Sequence, residues 1–513
     1  MAFARAIATI GGLTMVSRVL GFIRDIMIAA ILGAGFAADC FFVAFKLPNF
    51  FRRLFAEGAF NAAFVPLFSQ TLEREGAEAA RRFAQEALAG LLVVLVAFVA
   101  LAQASMPWLM IGLAPGFVDE PEKFTLAVQL TRITFPYLAF ISLVSLLGGV
   151  LNALGRFAAV AATPVLLNLC LIGALMLAAP LARDPAHMLA FGVSAGGVAQ
   201  LVWLLIETRR AGFSLRLPRP RITVRLRALL ALVTPGAIGA GVVQINLMID
   251  VVIASFLPTG SLSYLFYADR LNQLPIGIIG VAIGTALLPT LSRHYARGER
   301  AQALITQNRA IEIALLFTLP AAAALMIMPE PLISALFERR AFGAAETVAT
   351  AGALAAYALG LPAYVLIKVL TPGYFSRQDT KSPVRFEVIA LIVNTDLNLA
   401  LMIPLKHIGL ALATALSAWL NVALLAHGLA GQGYFRTDAR LRRRLVRIVL
   451  ATAVMAAGLI GLLALCAGLL AAGGAERIGA LAVLVLGGLV IYGAACRLTG
   501  AVDFGELNRM LAR

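Results

Sequence analysis

The sequence predicts an all-α polytopic membrane protein: about fourteen transmembrane helices, in two parallel-repeat six-helix lobes around a central cavity, with two C-terminal helices added. Three observations predict it. The chain has 513 residues, of which 61% are hydrophobic and 13% charged, with mean hydropathy +0.92, where a soluble chain carries roughly 25% charge. Apolar runs of about 20 residues, enough to span hydrocarbon, recur along its whole length. Alternating segments of about ten residues, the sign of a transmembrane barrel, do not occur. The third observation is an internal repeat, described below.

In order, the expected spans are 10–32, 37–68, 84–113, 124–151, 158–181, 187–207, 228–257, 261–291, 304–328, 346–371, 383–405, 408–430, 446–472 and 478–498. The first begins after the lone early Arg5. No small-residue cleavage site follows a short apolar core, so this segment reads as a span, not a removed leader. Basic loops alternate with base-poor ones. One side carries Arg74, Arg81, Arg82, then Arg156, then the run from Arg209 to Arg227, then Arg293, Arg297, Arg300, then Arg377, Lys381, Arg385, then Arg436 to Arg444. The other side carries GAGFAAD, APGFVDEPEK, ARDPAH, PTGS, PLKH and AGGAER. The loop 329–345 is an exception, with Arg339 and Arg340 beside Glu330 and Glu338. The positive-inside rule then puts both termini in the cytoplasm. The same rule absorbs the net charge of +16 into topology and anionic headgroups, so it does not call for nucleic acid. The tract Arg436 to Arg447 reads as a headgroup-facing linker.

The repeat sets the domains. Asp25 within RDIMIAAILGAG matches Asp250 within IDVVIASFLPTG; Pro48 matches Pro275; Pro66 within AFVPLFS matches Pro289 within ALLPTLS, at offsets of 223 to 227 residues. A duplicated unit of six spans keeps both copies in one orientation, the arrangement that brackets a midplane substrate site. The expected domains are 1–215, 216–432 and a terminal pair at 433–513. Between its two prolines the first copy is longer, by residues near Phe50, Phe51, Arg52 and Arg53. Pro48 removes a helix hydrogen bond and kinks the second span; a broken helix at membrane depth is tolerated where it lines a cavity.

The stretch from Thr14 to Gln70 holds Arg18, Arg24, Asp25, Asp39, Lys46, Arg52, Arg53 and Glu57 within apolar sequence. A charge at the bilayer centre costs about 2.5–3.5 kcal/mol on insertion scales, so it marks a functional site by default. Arg18 and Asp25 share a helix face, two turns apart, with Gly21 between them. The second copy adds Asp269, Arg270 and Lys368. Arg18, Arg24, Lys46, Arg52, Arg53, Arg270 and Lys368 outnumber Asp25, Asp39, Glu57 and Asp269. A cavity with surplus cation takes an anion, and arginine grips phosphate oxygens bidentately, which favours a diphosphate or another dense anion. Helix-locking ion pairs (Asp25 with Arg18 or Arg24, Asp269 with Arg270) and snorkelling of Lys46, Arg52 and Arg53 are the structural readings beside it.

Other signals are slighter. Gly192 with Gly196, and Gly280 with Gly284, space as close helix contacts. Asp250, Asn394, Asp396, Asn398 and Thr414 offer oxygen to a small hard cation, or hydrogen bonds between helices; both readings stand. His187, His294, His407 and His427 are scattered and imply no metal site. Cys40, Cys170, Cys466 and Cys496 lie in apolar stretches, as small buried residues do. No nucleotide-binding GxxxxGK[ST] motif occurs.

SRVLGFIRD, then FKLPNFFRRLFAEGAFNAAFVPLFS, then YADRLNQLPIGIIGVAIGTALLPTLS resemble the lipid II flippase family, MurJ (MviN), of the multidrug/oligosaccharidyl-lipid/polysaccharide (MOP) exporter superfamily. The resemblance runs over essentially the full chain. It implies a transporter and not an enzyme, in the bacterial inner membrane. Its substrate would be lipid II, an undecaprenyl-pyrophosphate bearing the peptidoglycan disaccharide-pentapeptide, moved from the cytoplasmic to the periplasmic leaflet for peptidoglycan and cell-wall biogenesis and so for cell shape. It implies rocking between inward-open and outward-open states, driven by membrane potential or an ion gradient, with no bound cofactor beyond Na+ or another coupling ion. The family's cavity arginines fall on Arg18, Arg24, Arg52 or Arg53, and Arg270. Its acidic partners and gate positions fall on Asp25, Asp39 and Glu57. The terminal spans resemble those that form a lipid-tail groove. Asp250, Asn394 and Thr414 match a sodium site found in some members, and Asn398 stands where that pattern has an acid. A flippase for another polyprenyl-diphosphate-linked oligosaccharide is the neighbouring reading. A multidrug or cation antiporter of the superfamily would carry surplus acid instead, and an intramembrane enzyme acting on polyprenyl phosphates would need clustered Asp or His.

Overall fold

A computed structural model of the chain describes residues 2–53, 60–178, 184–219 and 223–502. In lipid every backbone N–H and C=O must be satisfied within its own segment, and the long Leu-, Ala- and Val-rich runs do so as helices. The described residues form no strand; one isolated bridge joins Arg339 to Phe342. Ten described helices are long and apolar enough to cross a membrane. Ala2–Leu32, Phe36–Phe51 and Val224–Ser255 stand outside those ten, and one of the ten, Lys381–Gly431, holds two expected spans. The count of fourteen therefore stays an expectation.

The chain divides into two compact units, Met1–Ser263 with Arg339–Phe342, and Tyr264–Glu338 with Gly343–Arg513. Unit 1 contains α1 (Ala2–Leu32), α2 (Phe36–Phe51), α3 (Asn61–Ala104), α4 (Met106–Leu113), α5 (Pro121–Thr134), α6 (Tyr137–Ala153), α7 (Phe157–Ala161), α8 (Thr163–Ala178), α9 (Pro185–Arg210) and α10 (Val224–Ser255). Helix α9 packs on α8, α6, α5 and α2. Its Gly192 and Gly196 allow this: a Cβ would stand 2.8 Å from the Ala174 side chain at the first and 2.6 Å from that of Leu167 at the second. That is the close contact expected of small residues four apart. Helix α3 is bent at Gly76, whose φ of 86° suits glycine.

The tip 339–342 folds onto unit 1. Ala341 N–H donates to the Ala30 carbonyl at 3.2 Å, where α1 leaves its last carbonyls unpaired. Gly33 turns the chain there with φ 68°, and a Cβ on it would meet the Ala341 carbonyl oxygen at 2.4 Å. The arginines of the exceptional loop therefore ride on a segment that docks against α1.

Unit 2 contains α11 (Ser261–Pro275) from Tyr264 onward, its first three residues belonging to unit 1, and α12 (Val281–Ala296), α13 (Arg300–Ile327), α14 (Pro329–Phe337), α15 (Ala344–Phe375), α16 (Lys381–Gly431), α17 (Ala439–Ala472) and α18 (Gly474–Thr499). Helix α11 gives way after Pro275 to a π-helical turn, Ile276–Gly280; Arg52 and Arg53, a few residues after Pro48, also lie in a π-helical turn. Proline's missing N–H breaks the ladder at matched points of the repeat. Helix α16 reverses at Lys406 (φ 51°), two residues after Pro404. At Gly409 a Cβ would stand 2.3 Å from the Leu401 carbonyl oxygen, so only glycine fits this turn. Beyond it the limbs run side by side, and Ser417 Oγ donates to Asn394 Oδ1 at 3.3 Å.

The terminal pair is tied down by charge. Glu312 on α13 accepts from Arg309 at 2.8 Å and draws in Arg440 and Arg444 at 3.5 and 3.7 Å, while Arg309 also reaches Asp438 at 2.9 Å. Arg444 and Arg447 donate to the Gly500 carbonyl beyond α18 at 2.8 and 3.1 Å. The tract expected to face headgroups is thus partly structural. Arg440 and Arg444 are spent on a half-buried carboxylate and a helix end; Arg442 and Arg443 remain exposed.

Candidate transport site

In unit 1 the N-terminal charges fall into a buried pair and an exposed set. Arg24 is 7% exposed and Asp25 2%. Arg24 donates through Nε and Nη2 to one Asp25 oxygen at 3.0 and 2.7 Å, and through Nη1 to Asn168 Oδ1 at 2.8 Å. Asn168 in turn donates to the Ser17 carbonyl at 3.0 Å and lies over Gly21, where a Cβ would be 3.5 Å from its amide nitrogen. The Arg24 charge is therefore balanced where it sits. Asn168, on α8, is the residue that sequence reading passed over. Arg18, Lys46 and Arg53 are exposed, and Arg52 is half-buried with its Nε on Asn49 Oδ1 at 3.1 Å. Glu57 lies outside the described residues.

Asp39 has another setting. It is 1% exposed and accepts from Gly260 N–H at 2.7 Å, Ser263 N–H at 2.9 Å and Ser263 Oγ at 2.6 Å. A carboxylate near the start of α2 thus satisfies the unpaired N–H groups that open α11, as a capping acid does. Lys123, also 1% exposed, stands 3.9 Å from Asp39 and donates to Thr259 Oγ1 at 2.8 Å and to Glu120 at 3.3 Å, its ammonium 4.5 Å from the Phe117 ring centre. Lys123 belongs to a loop that reads as base-poor. Its one sequence signal is a lysine at i+3 from Glu120.

In unit 2, Asp269 accepts from Gln273, and the Arg270 guanidinium lies 4.6 Å over the Phe266 ring, so these neighbours on α11 turn to different partners. Both are half-buried. Lys368, two turns before the C-terminal end of α15, is half-buried and lies along the π-helical turn after Pro275. A Cβ at Gly280 would meet its Cδ at 2.9 Å and its Nζ at 3.6 Å. The glycine pair at 280 and 284 therefore makes room for a cationic side chain at the first position, beyond the bare helix contact its spacing suggests. Among the described residues the Lys368 ammonium forms no hydrogen bond or ion pair.

Of the five residues considered for a small cation, Asp250 falls in unit 1 and Asn394, Asp396, Asn398 and Thr414 in unit 2. Asn394 and Asn398 are buried; Thr414 Oγ1 donates to the Leu410 carbonyl at 2.9 Å, and Asn394 Oδ1 accepts from Ser417.

Long apolar helices that keep arginine and lysine within them define an all-helical polytopic membrane protein. The fold is shared with a multidrug resistance MATE family transporter of the MOP superfamily, solved in an inward-facing conformation, which aligns at TM-score 0.67 with 13% identity, over 86% of this chain and 98% of that one. The particular family follows from sequence. The model of the family described as lipid II flippase MurJ matches residues 28–475. The probable lipid II flippase MurJ of Rhizobium tropici is 43% identical over 100% of this chain and 97% of its own length, and that of Rhizobium meliloti is 45% identical over 90% and 86%. A solved lipid II flippase MurJ in an inward closed conformation aligns at TM-score 0.78 with 26% identity, over 98% of this chain and 99% of that one. The chain belongs to the lipid II flippase MurJ family.

Proposed function

We propose that this protein moves lipid II from the cytoplasmic to the periplasmic leaflet by alternating access, with both termini cytoplasmic. The diphosphate is held by intramembrane cations: Arg18, Lys46, Arg52 and Arg53 of the first copy, Arg270 and Lys368 of the second. One observation carries the reading. A chain of this family keeps a half-buried lysine inside a membrane-spanning helix, seated on a glycine and with no acid beside it among the described residues. Such a charge costs free energy unless a guest of opposite sign shares its site. Lipid II has a diphosphate that cannot cross hydrocarbon unaided and a tail that need not leave it. Membrane potential acts on any net charge carried across, about 2.3 kcal/mol per charge per 100 mV. Arg24 and Asp25 have a supporting role, holding α1 to α8 through Asn168. The test is rescue of a bacterium depleted of its own lipid II flippase, read as lipid II accessible from the periplasm. Rescue supports the proposal; a well-expressed, membrane-inserted protein that leaves lipid II inside overturns it.

A further inference from the structure

A second set of cations, the exposed Arg300 and the half-buried Arg377, lies in unit 2 where α12, α13 and α15 meet the segment between α16 and α17. Arg300 and Arg377 stack on the ring of Tyr434, at 4.4 and 3.8 Å from its centre. Arg300 Nη2 donates to the carbonyls of Gln432 and Gly433 at 3.3 and 2.6 Å, and Arg377 Nε to that of Gly373 at 2.9 Å. Tyr295 meets Tyr434 edge-on at 5.6 Å. Gln307, 1% exposed, comes to the same glycine from α13: a Cβ on Gly373 would stand 3.0 Å from its Nε2.

These groups leave hydrogen bonds over. Among the described residues Arg377 Nη2, the Tyr295 hydroxyl and both ends of the Gln307 amide are buried and have no partner. Each such group costs about 1–3 kcal/mol if nothing meets it. Arg300 and Arg377 form no ion pair among the described residues, and Asp379, the acid that feels Arg377, gives its oxygens to Ser382 N–H and Oγ at 3.0 and 2.7 Å. Arg300 is exposed and solvent meets its charge, whereas water would satisfy the amide and the phenol beside the half-buried Arg377 without bringing it a counter-charge. An anion does both. A planar carboxylate presents two oxygens in one plane, whereas the open donors come from α12, α13 and the turn after α15; a tetrahedral phosphoryl group can face all three, and an arginine fork suits it.

We propose that Arg377, Gln307 and Tyr295 form a phosphoryl-binding site in unit 2, independent of the transport reading. The phosphoryl group is that of a membrane phospholipid or of a soluble phosphate compound. The test uses the full chain purified in an uncharged detergent. Its unfolding temperature is followed against inorganic phosphate, with chloride at matched ionic strength as control, and in a second arm against phosphatidylglycerol added to the micelles. A saturable rise is expected in at least one arm: with phosphate it identifies a soluble ligand, with phosphatidylglycerol alone a headgroup. Arg377→Gln should weaken the midpoint concentration of that response about tenfold or more, the worth of one charge-assisted hydrogen bond. Gln307→Leu separates a site from a merely awkward core residue, because it keeps the volume and removes only the open amide. Loss of the response in both variants supports the site. No response in either arm overturns it, and so does a response that both variants keep, since it then arises elsewhere.

Discussion

Asp39 shows how much one carboxylate can hold. Three donors end on it, two of them backbone N–H groups at a helix start. Asp39→Ala leaves each without an acceptor, at about 1–3 kcal/mol apiece, so the melting temperature of the purified protein should fall by several degrees or the protein should fail to accumulate. Asp39→Asn keeps the shape, and with it one acceptor oxygen, so its loss should be the smaller. Equal stability of wild type and the alanine variant would remove the capping role. Asp379 offers a pH test outside the membrane-spanning segments. The N–H of Ser382 holds the Asp379 carboxyl below the ordinary carboxylate range. A carboxyl lowered on folding adds stability above its unfolded value and loses it as pH falls through the lowered one. Unfolding followed from pH 7 downward should therefore show wild type and Asp379→Ala converging only below about pH 4; a gap that closes near neutrality would contradict this.

At the scale of elements, the π-helical turn after Pro275 and the glycine that ends it decide where Lys368 lies. Gly280→Ala puts a methyl 2.9 Å from Lys368 Cδ, so the side chain must move; Gly284→Ala meets its nearest atom, the Lys368 carbonyl oxygen, at an ordinary 3.8 Å. Gly280→Ala should lower lipid II transport about as far as Lys368→Met while leaving folding intact, and Gly284→Ala should be nearly silent. Two alanines with the same effect would mean helix packing, not lysine placement, is at stake. The repeat made this element legible, since Pro48 and Pro275 mark matched breaks in sequence. Lys123 was not legible: its loop, APGFVDEPEK, carries three acids and reads as solvent-facing. Its burial comes from contacts with Asp39 and Thr259, 84 and 136 residues away in sequence. Asn168 escaped for the same reason, as a single amide in an apolar run gives no sign of the arginine it meets.

At the scale of the whole molecule, composition and the repeat were enough for the helical class, because bilayer crossing leaves a chain few options. The family was legible in three long motifs. Charge sign alone was a blunter guide. It placed every intramembrane cation in one group, whereas the side chains divide: Arg24 is balanced by Asp25, Arg270 lies on a ring, and Lys368 keeps its charge open. Loop 329–345 broke the positive-inside pattern for a comparable reason, since its tip serves to close the end of α1.

The account's central claim is that intramembrane cations hold the diphosphate. Its most direct measurement is periplasm-accessible lipid II in flippase-depleted cells carrying wild-type protein, Arg270→Ala, Lys368→Met or the double variant, at matched membrane levels. The account predicts exposure with the wild type, a drop of about tenfold or more with each single variant and none above background with the double. Wild-type exposure in the double variant would contradict it.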